Sequence, residues 1–121
     1  MRLIRIQLGC LALLLCATLG PERPAHAADE ATVKLYKTQC STCHGLDGRG
    51  QTTAGKPLGV KDWSDGKTLK TTSDDRIKEL MRTGAKGKDG KQSMTPFKKI
   101  TDQQVAALIA YVRELGGQKR K

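Results

Sequence analysis

Apolar residues recur every three or four positions in three stretches of this chain, which is the spacing of amphipathic helices. The clearest stretch lies near the C-terminus and contains Val105, Leu108, Ile109, Val112 and Leu115. Thr101 and Gln104 form a capping box at its start, and Gly116-Gly117 is expected to end it. The pattern therefore predicts a C-terminal helix between the capping box and the two glycines.

Two further helices are predicted upstream. The first runs from Asp29 to His44, with one face formed by Val33, Tyr36, Lys37 and Cys40. The second begins after the N-cap Ser73, runs to Thr83 and ends at Gly84, with an apolar stripe of Ile77, Leu80 and Met81. Residues 45–72 and 84–95 are polar and glycine-rich, and no stretch alternates as a strand would. The predicted fold class is all-α.

The first 27 residues have the pattern of an export signal. Arg2 and Arg5 precede an apolar run from Leu8 to Leu19, and Ala25-His26-Ala27 is a small-x-small cleavage site. The run is shorter than the ~20 residues that a helix needs to cross a bilayer. We therefore predict a cleaved signal peptide at 1–27, one domain at 28–121, a periplasmic location and no stable membrane insertion.

Removal of the signal peptide restricts the chemistry that remains. Cleavage after Ala27 leaves 94 of the 121 residues, and their only cysteines and histidine are Cys40, Cys43 and His44. The net charge falls from +10 to +8, because three arginines and one glutamate are removed. A domain this small, with four aromatic residues, needs a stabilising element besides its own side chains.

Cys40-Ser41-Thr42-Cys43-His44 has the spacing C-x-x-C-H, which is the signature of covalent haem attachment. On a helical turn, thiols three positions apart lie on one face and can reach the two vinyl groups of one porphyrin edge. His44 then faces the iron as an axial nitrogen ligand. We predict one haem c, bound through Cys40 and Cys43, which would also complete the core.

Other uses of this motif fit less well. A structural zinc site needs four Cys or His ligands, and residues 28–121 contain three. A thiol–disulfide enzyme carries the motif after a strand, whereas a helix is predicted around Cys40. The glycines of residues 45–50 follow a helix and lack the order G-x-G-x-x-G, so they are not a dinucleotide loop.

After the signal peptide, the chain resembles the small class I c-type cytochromes over essentially its whole length. The resemblance rests on the haem-attachment motif, the loop at 45–50, the sequence Met94-Thr95-Pro96-Phe97 and the C-terminal helix. It implies a compact all-α fold in which the N- and C-terminal helices pack together, with a short middle helix and long loops around one covalently bound haem. Tyr111 would then pack against Val33 and Tyr36.

In that family a histidine and a later methionine bind the iron, which implies His44 and Met94 as metal ligands here. The composition agrees, because without a second histidine a sixth protein ligand must be methionine or lysine. Met94 lies in a loop just before Pro96, whereas Met81 lies on a helical stripe where core packing is expected. A neutral thioether favours reduced iron and raises the reduction potential.

Two further residues are candidates for contact with the cofactor. Pro57 resembles the proline whose carbonyl accepts the second N–H of the proximal histidine, with an ordinary turn proline as the alternative. Trp63 resembles an aromatic residue near a haem propionate, where its indole N–H is a donor, with a core position as the alternative.

Five lysines surround Met94 in the sequence: Lys86, Lys88, Lys91, Lys98 and Lys99. As a ring around the haem edge, they would steer the protein onto acidic redox proteins or membrane oxidoreductase complexes. The alternative is a solvated surface without a partner. Export argues against nucleic acid as a partner, and a monomer is expected.

These patterns together predict a soluble one-electron carrier and not an enzyme, because residues 28–121 contain no evident catalytic constellation. Two alternatives remain open. One is a haem subunit dedicated to one dehydrogenase or oxidase. The other is a ligand sensor or haem enzyme with an open distal site, which requires that Met94 does not bind iron.

Overall fold

The computed structural model describes residues 28–117, so the predicted signal peptide lies outside the described residues. Within them the elements are α1 (Glu30–Gln39), α2 (Ser41–His44), α3 (Lys67–Lys70), α4 (Asp74–Thr83), β1 (Ala85–Lys86), β2 (Gln92–Met94) and α5 (Asp102–Gly117). Helices dominate, which confirms the predicted all-α class. None of the helices in this part of the chain combines the length and apolar character that crossing a membrane requires.

The N-terminal helical region is interrupted, so the prediction of one continuous helix from Asp29 to His44 is wrong. Asp29 caps α1, because its carboxylate accepts hydrogen bonds from the Thr32 amide at 2.7 Å and hydroxyl at 3.1 Å. Cys40, with φ −117° and ψ −38°, ends α1, and a separate single turn that begins at this residue follows as α2. The haem-attachment motif therefore lies on a short turn of its own and not on a long helix.

The middle of the chain contains α4 where it was predicted. The Ser73 hydroxyl accepts a hydrogen bond from the Arg76 amide at 3.2 Å, and Gly84 ends the helix with φ +76°. The predicted loop at 45–72 also contains the one-turn helix α3, which sequence reasoning missed. A single turn is too short for a periodic pattern to be visible.

A second correction concerns strands, which the sequence pattern did not indicate. β1 and β2 pair in antiparallel orientation directly after α4, with Ala85 opposite Met94 and Lys86 opposite Gln92. A bulge separates the two pairs. Strands of two and three residues cannot show the alternation by which a strand is recognised in a sequence.

The C-terminal helix α5 begins as its capping box predicts. The Gln104 amide donates to the Thr101 hydroxyl at 3.1 Å, and the Thr101 amide donates to the Gln104 side-chain oxygen at 2.9 Å. The side chains that α5 buries are those of the predicted stripe: Val105, Leu108, Ile109, Val112 and Leu115.

The core lies where α5 packs against α1 and α4. The rings of Tyr36 and Tyr111 meet edge to face, with centroids 5.0 Å apart, which confirms the predicted contact between the terminal helices. Val33, the other predicted partner, is half-buried. The side chains buried most completely are Tyr36, Leu108, Val105 and Val112.

Arg113 joins α5 to α3, to the start of α4 and to the residues between them. Its guanidinium donates to the carbonyl oxygens of Leu69 and Thr72 and to the carboxylate of Asp74, the last at 2.9 Å from Nε. The side chain of Leu69 is itself buried. A guanidinium that donates to several oxygens forms strong and geometrically specific hydrogen bonds. Arg113 therefore holds the middle of the chain on the C-terminal helix.

Candidate haem-attachment site

The two thiols and the imidazole are carried by one helical turn. The amides of Cys43 and His44 both bond back to the carbonyl of Cys40, at 3.2 and 2.9 Å, and the Gly45 amide bonds to Ser41. This turn, residues 40–45, is called the attachment turn below. Positions three and four apart lie on one face of such a turn, so both cysteines and the histidine can serve a single ligand.

Three consecutive carbonyl oxygens of the attachment turn are bonded by distant residues. The Thr52 hydroxyl donates to the Cys43 oxygen at 3.1 Å, and the Gly50 amide donates to the His44 oxygen at 2.8 Å. The Tyr36 hydroxyl donates to the Gly45 oxygen at 2.7 Å. Carbonyls at the end of a helical turn lack partners within the turn. These three hydrogen bonds therefore give the carbonyls the partners that they lack, and they hold the backbone of the attachment turn in one position.

The loop that follows the motif approaches the attachment turn very closely at Gly55. A Cβ atom on Gly55 would lie 2.1 Å from the Cys43 oxygen and 2.6 Å from the Gly50 oxygen. The Gly55 amide also donates to the Thr52 hydroxyl at 2.8 Å. Only glycine leaves room for this approach. The sequence offered no signal for Thr52 or Gly55, because neither belongs to a recognisable motif.

His44 is half-buried beneath Trp63. The two rings are stacked, with centroids 4.0 Å apart and an interplanar angle of 20°. Trp63 is itself held against the loop, since its amide donates to the Gly48 oxygen at 2.8 Å. Burial lowers the pKa of His44 to about 4, so the imidazole is neutral near pH 7 and a ring nitrogen has a lone pair available for a metal.

The structure does not contain the hydrogen bond predicted between Pro57 and His44. The Nδ1 atom of His44 is buried and has no hydrogen-bond partner in the part of the chain that the structure describes. Pro57 is exposed, in a turn closed by the hydrogen bond from the Gly59 amide to the Lys56 oxygen at 3.1 Å. A role of Pro57 beside a haem-bound His44 stays a prediction, with an ordinary turn proline as the alternative.

Both cysteines of the attachment turn are free thiols. Cys40 is buried, which raises the pKa of its thiol to about 11, and Cys43 is half-buried. Two unbonded thiols beside a neutral imidazole with an unpartnered buried nitrogen are a donor set that suits a haem. Cys40 and Cys43 would form the thioethers, and His44 would hold the iron.

The two methionines of the domain lie in different environments. Met81 is on α4, 4% exposed, within the core. Met94 ends β2 and is half-buried, packed against the outside of that core together with Phe97. The environment of Met81 is that of the expected core residue, whereas the assignment of Met94 to the iron remains a prediction.

The arrangement defines a class of protein: a small helical domain in which the first helical region carries two thiols and a histidine on one turn. The sequence profile of the cytochrome c family matches residues 30–116. The chain belongs to the cytochrome c family. Membership identifies it as a haem-containing electron carrier in general, and the family implies covalently bound haem c.

Two solved structures resemble this chain. The c-type cytochrome KustC0563 is 39% identical with a TM-score of 0.60, and the match covers 69% of this chain and 95% of that one. A tyrosine-to-phenylalanine mutant of Kustc0563 is 38% identical with a TM-score of 0.59, over 69% of this chain and 96% of the other. No curated protein matches the chain significantly.

Proposed function

We propose that this chain is a periplasmic one-electron carrier and not an enzyme, with a single haem c attached through Cys40 and Cys43 and iron bound by His44 and Met94. The observation that carries the proposal is the attachment turn, in which both thiols and a neutral imidazole share one turn whose backbone is held by three distant hydrogen bonds. The bound cofactor supplies a reversible one-electron couple. The export signal predicted at 1–27 supports the location.

The residues around the turn are suited to electron transfer because they resist movement. Thr52, Gly50 and Tyr36 hold the carbonyls of the turn, and Trp63 covers one face of the histidine ring. A ligand that keeps its position when the charge of the metal changes requires little reorganisation. Burial also keeps His44 neutral, so no proton has to leave before the imidazole binds the iron.

Met94 is favoured over Met81 as the sixth ligand by its packing. Met81 has almost no exposed surface and fills the core between α4 and α5, so its withdrawal toward a metal would leave a cavity. Met94 lies at the edge of the core on a hairpin strand, and its side chain can turn without such a cost.

A matched pair of conservative variants tests the ligation. We expect Met94→Leu to lose the weak red absorption band of thioether-bound ferric haem, to bind carbon monoxide in the ferrous state and to have a lower reduction potential. A neutral thioether stabilises ferrous iron, and leucine has no donor atom. Met81→Leu conserves volume in the core and should keep both the band and the potential. Visible spectra and a potentiometric titration of both variants measure this.

If Met81→Leu lost the band while Met94→Leu kept it, Met81 would be the sixth ligand of the iron. Absence of the band in the unmodified ferric protein, with ready binding of carbon monoxide, would instead support a sensor or enzyme with an open distal site. The test therefore separates the carrier from its main rival.

The partner is proposed to be acidic, because the segment that carries Met94 is strongly basic. Residues 84–100 contain five lysines and one acidic residue, Asp89. All five lysines are exposed, and none forms an ion pair with any residue of 28–117. Elsewhere in residues 28–117, the helix cap Asp29 and the arginine-paired Asp47, Asp74, Glu79 and Asp102 are engaged away from these lysines, so the positive field of this segment is not neutralised locally.

Ferricyanide, an anionic oxidant, can report this field without an identified partner. We expect the double variant Lys88→Glu and Lys91→Glu to react several-fold more slowly with ferricyanide at low salt, with the difference disappearing at high salt. The matched variant Lys34→Glu and Lys37→Glu changes the net charge equally but acts on exposed positions of α1. Equal slowing of both variants in stopped-flow measurements would contradict a directed field and indicate an effect of total charge.

A further inference from the structure

Residues 84–100, called the Met94 segment, connect α4 to α5 and begin in close contact with the end of α4. The Gly84 amide bonds to the Leu80 oxygen at 2.8 Å, and Ala85 then pairs with Met94 across the hairpin. A Cβ atom at Gly84 would lie 2.3 Å from the Met94 oxygen. The backbone of Met94 therefore rests directly on the C-terminal end of α4.

The second half of the Met94 segment is bonded to the same helical turn. The Phe97 amide donates to the Met81 oxygen at 2.8 Å, and this oxygen belongs to the last turn of α4, where carbonyls lack helical partners. Arg82, the next residue, donates from Nη1 to the Ile100 oxygen at 2.7 Å. The segment is thus attached to α4 on both sides of its methionine.

Arg82 makes a third connection that joins the segment to α5. Its Nη2 atom donates to the Asp102 carboxylate at 2.7 Å, and Lys78 lies 3.8 Å from the same oxygen. Asp102 is the first residue of α5. One guanidinium therefore bridges α4, the end of the Met94 segment and the start of α5, in the planar two-donor geometry that lysine cannot reproduce.

The segment needs such a connection because its own charges favour detachment. Its five lysines repel one another on a short stretch of chain, and its single aspartate is too little negative charge to balance them. A thioether is a neutral ligand that depends on its backbone to stay in place. A bond from the segment to a helix therefore acts against exchange of the ligand.

We propose that Arg82 is a positioning residue that holds the Met94 segment on α4 and thereby sets how readily an external ligand displaces Met94. The inference rests on the proposed ligation of iron by Met94. It adds that the stability of this ligation is determined by the side chain of a neighbouring helix and not by the segment alone.

Imidazole binding to the haem-loaded ferric protein measures this displacement at a fixed pH and salt concentration. We expect Arg82→Gln to bind imidazole about tenfold more tightly than the unmodified protein, which corresponds to about 1.4 kcal/mol and is the size expected for losing charge-assisted hydrogen bonds. Loss of the thioether band reports the displacement. Arg82→Lys retains the charge but cannot reproduce the planar two-donor geometry that bonds Ile100 and Asp102 at once. It should therefore also bind imidazole more tightly than the unmodified protein, but by a smaller factor than Arg82→Gln.

Two other arginines provide controls. Arg76→Gln removes the same charge from the same helix, but within residues 28–117 the Arg76 side chain pairs only with Glu79, in an exposed ion pair, so the imidazole affinity should not change. Arg113→Gln removes a comparable fork from α5, away from the Met94 segment, and should lower the stability to unfolding without a tenfold change in imidazole affinity.

An unchanged imidazole affinity in Arg82→Gln would overturn the inference, and so would an equal increase in Arg113→Gln, which would indicate general destabilisation. Should Arg82→Gln fail to fold, Arg82→Lys decides by the same comparison. Failure of the proposed ligation has a different signature: the unmodified protein would lack the thioether band and bind imidazole as tightly as Met94→Leu.

Discussion

Replacement of both Cys40 and Cys43 by alanine is expected to abolish covalent haem attachment and to leave the domain largely unfolded. Ten buried hydrophobic residues form the core of the described part, which is little for a domain of this size. A tethered cofactor stabilises the folded state because it is held by that state and has no comparable site in the unfolded chain. Loss of the tether should therefore remove both the cofactor and most of the stability.

Mass spectrometry and near-ultraviolet circular dichroism measure the two effects together. The unmodified protein should have the mass of the chain beginning at Ala28 plus one haem, and the double variant the mass of the polypeptide alone. Thr42→Ala is the control, since Thr42 lies between the cysteines, is exposed, and carries neither a thiol nor a metal ligand. A double variant that folds with the stability of the unmodified protein would contradict the role assigned to the haem.

Leu108→Ala is expected to lower the free energy of unfolding by about 2–5 kcal/mol, the range observed for buried leucines. Leu108 is 1% exposed and lies on α5. Because α5 packs against both α1 and α4, a cavity at this position weakens the contacts that bring the terminal helices together. The decrease in the free energy of unfolding should therefore be larger than for a truncation at a position that packs against one helix only.

Leu46→Ala is the matched control for this measurement. Leu46 is 62% exposed, and its truncation should change the free energy of unfolding by less than about 0.5 kcal/mol. Denaturant unfolding of both variants with haem bound gives the comparison. Equal stability of the two variants would show that α5 is not the element on which the core depends.

The helices and the identity of the attachment site could be predicted because they depend on neighbours in sequence. A capping box, an N-cap or an apolar stripe acts over three or four residues, and the structure confirms Thr101 with Gln104, the boundaries of α4 and the buried face of α5. The motif at 40–44 is equally local. The sequence did not predict β1, β2 and α3, because each is too short to show a periodic pattern, and it did not predict the break between α1 and α2.

The residues that surround the attachment turn could not be predicted, because they reach it across long stretches of chain. Thr52 and Tyr36 bond to carbonyls nine positions away, and Trp63 covers His44 from a loop without regular structure. The resemblance suggested Pro57 as the partner of His44, whereas the structure places it in an exposed turn.

The sequence by itself determined which atoms can hold the cofactor, since two thiols and one histidine on a single turn are specified by spacing alone. Only the tertiary structure decided how that turn and the Met94 segment are held, through the hydroxyl of Thr52, the missing side chain of Gly55 and the guanidinium of Arg82. The physical reason is the range of the interactions. Spacing along a helical turn follows from backbone geometry, whereas hydrogen bonds to unpaired carbonyls form only after distant segments have packed together.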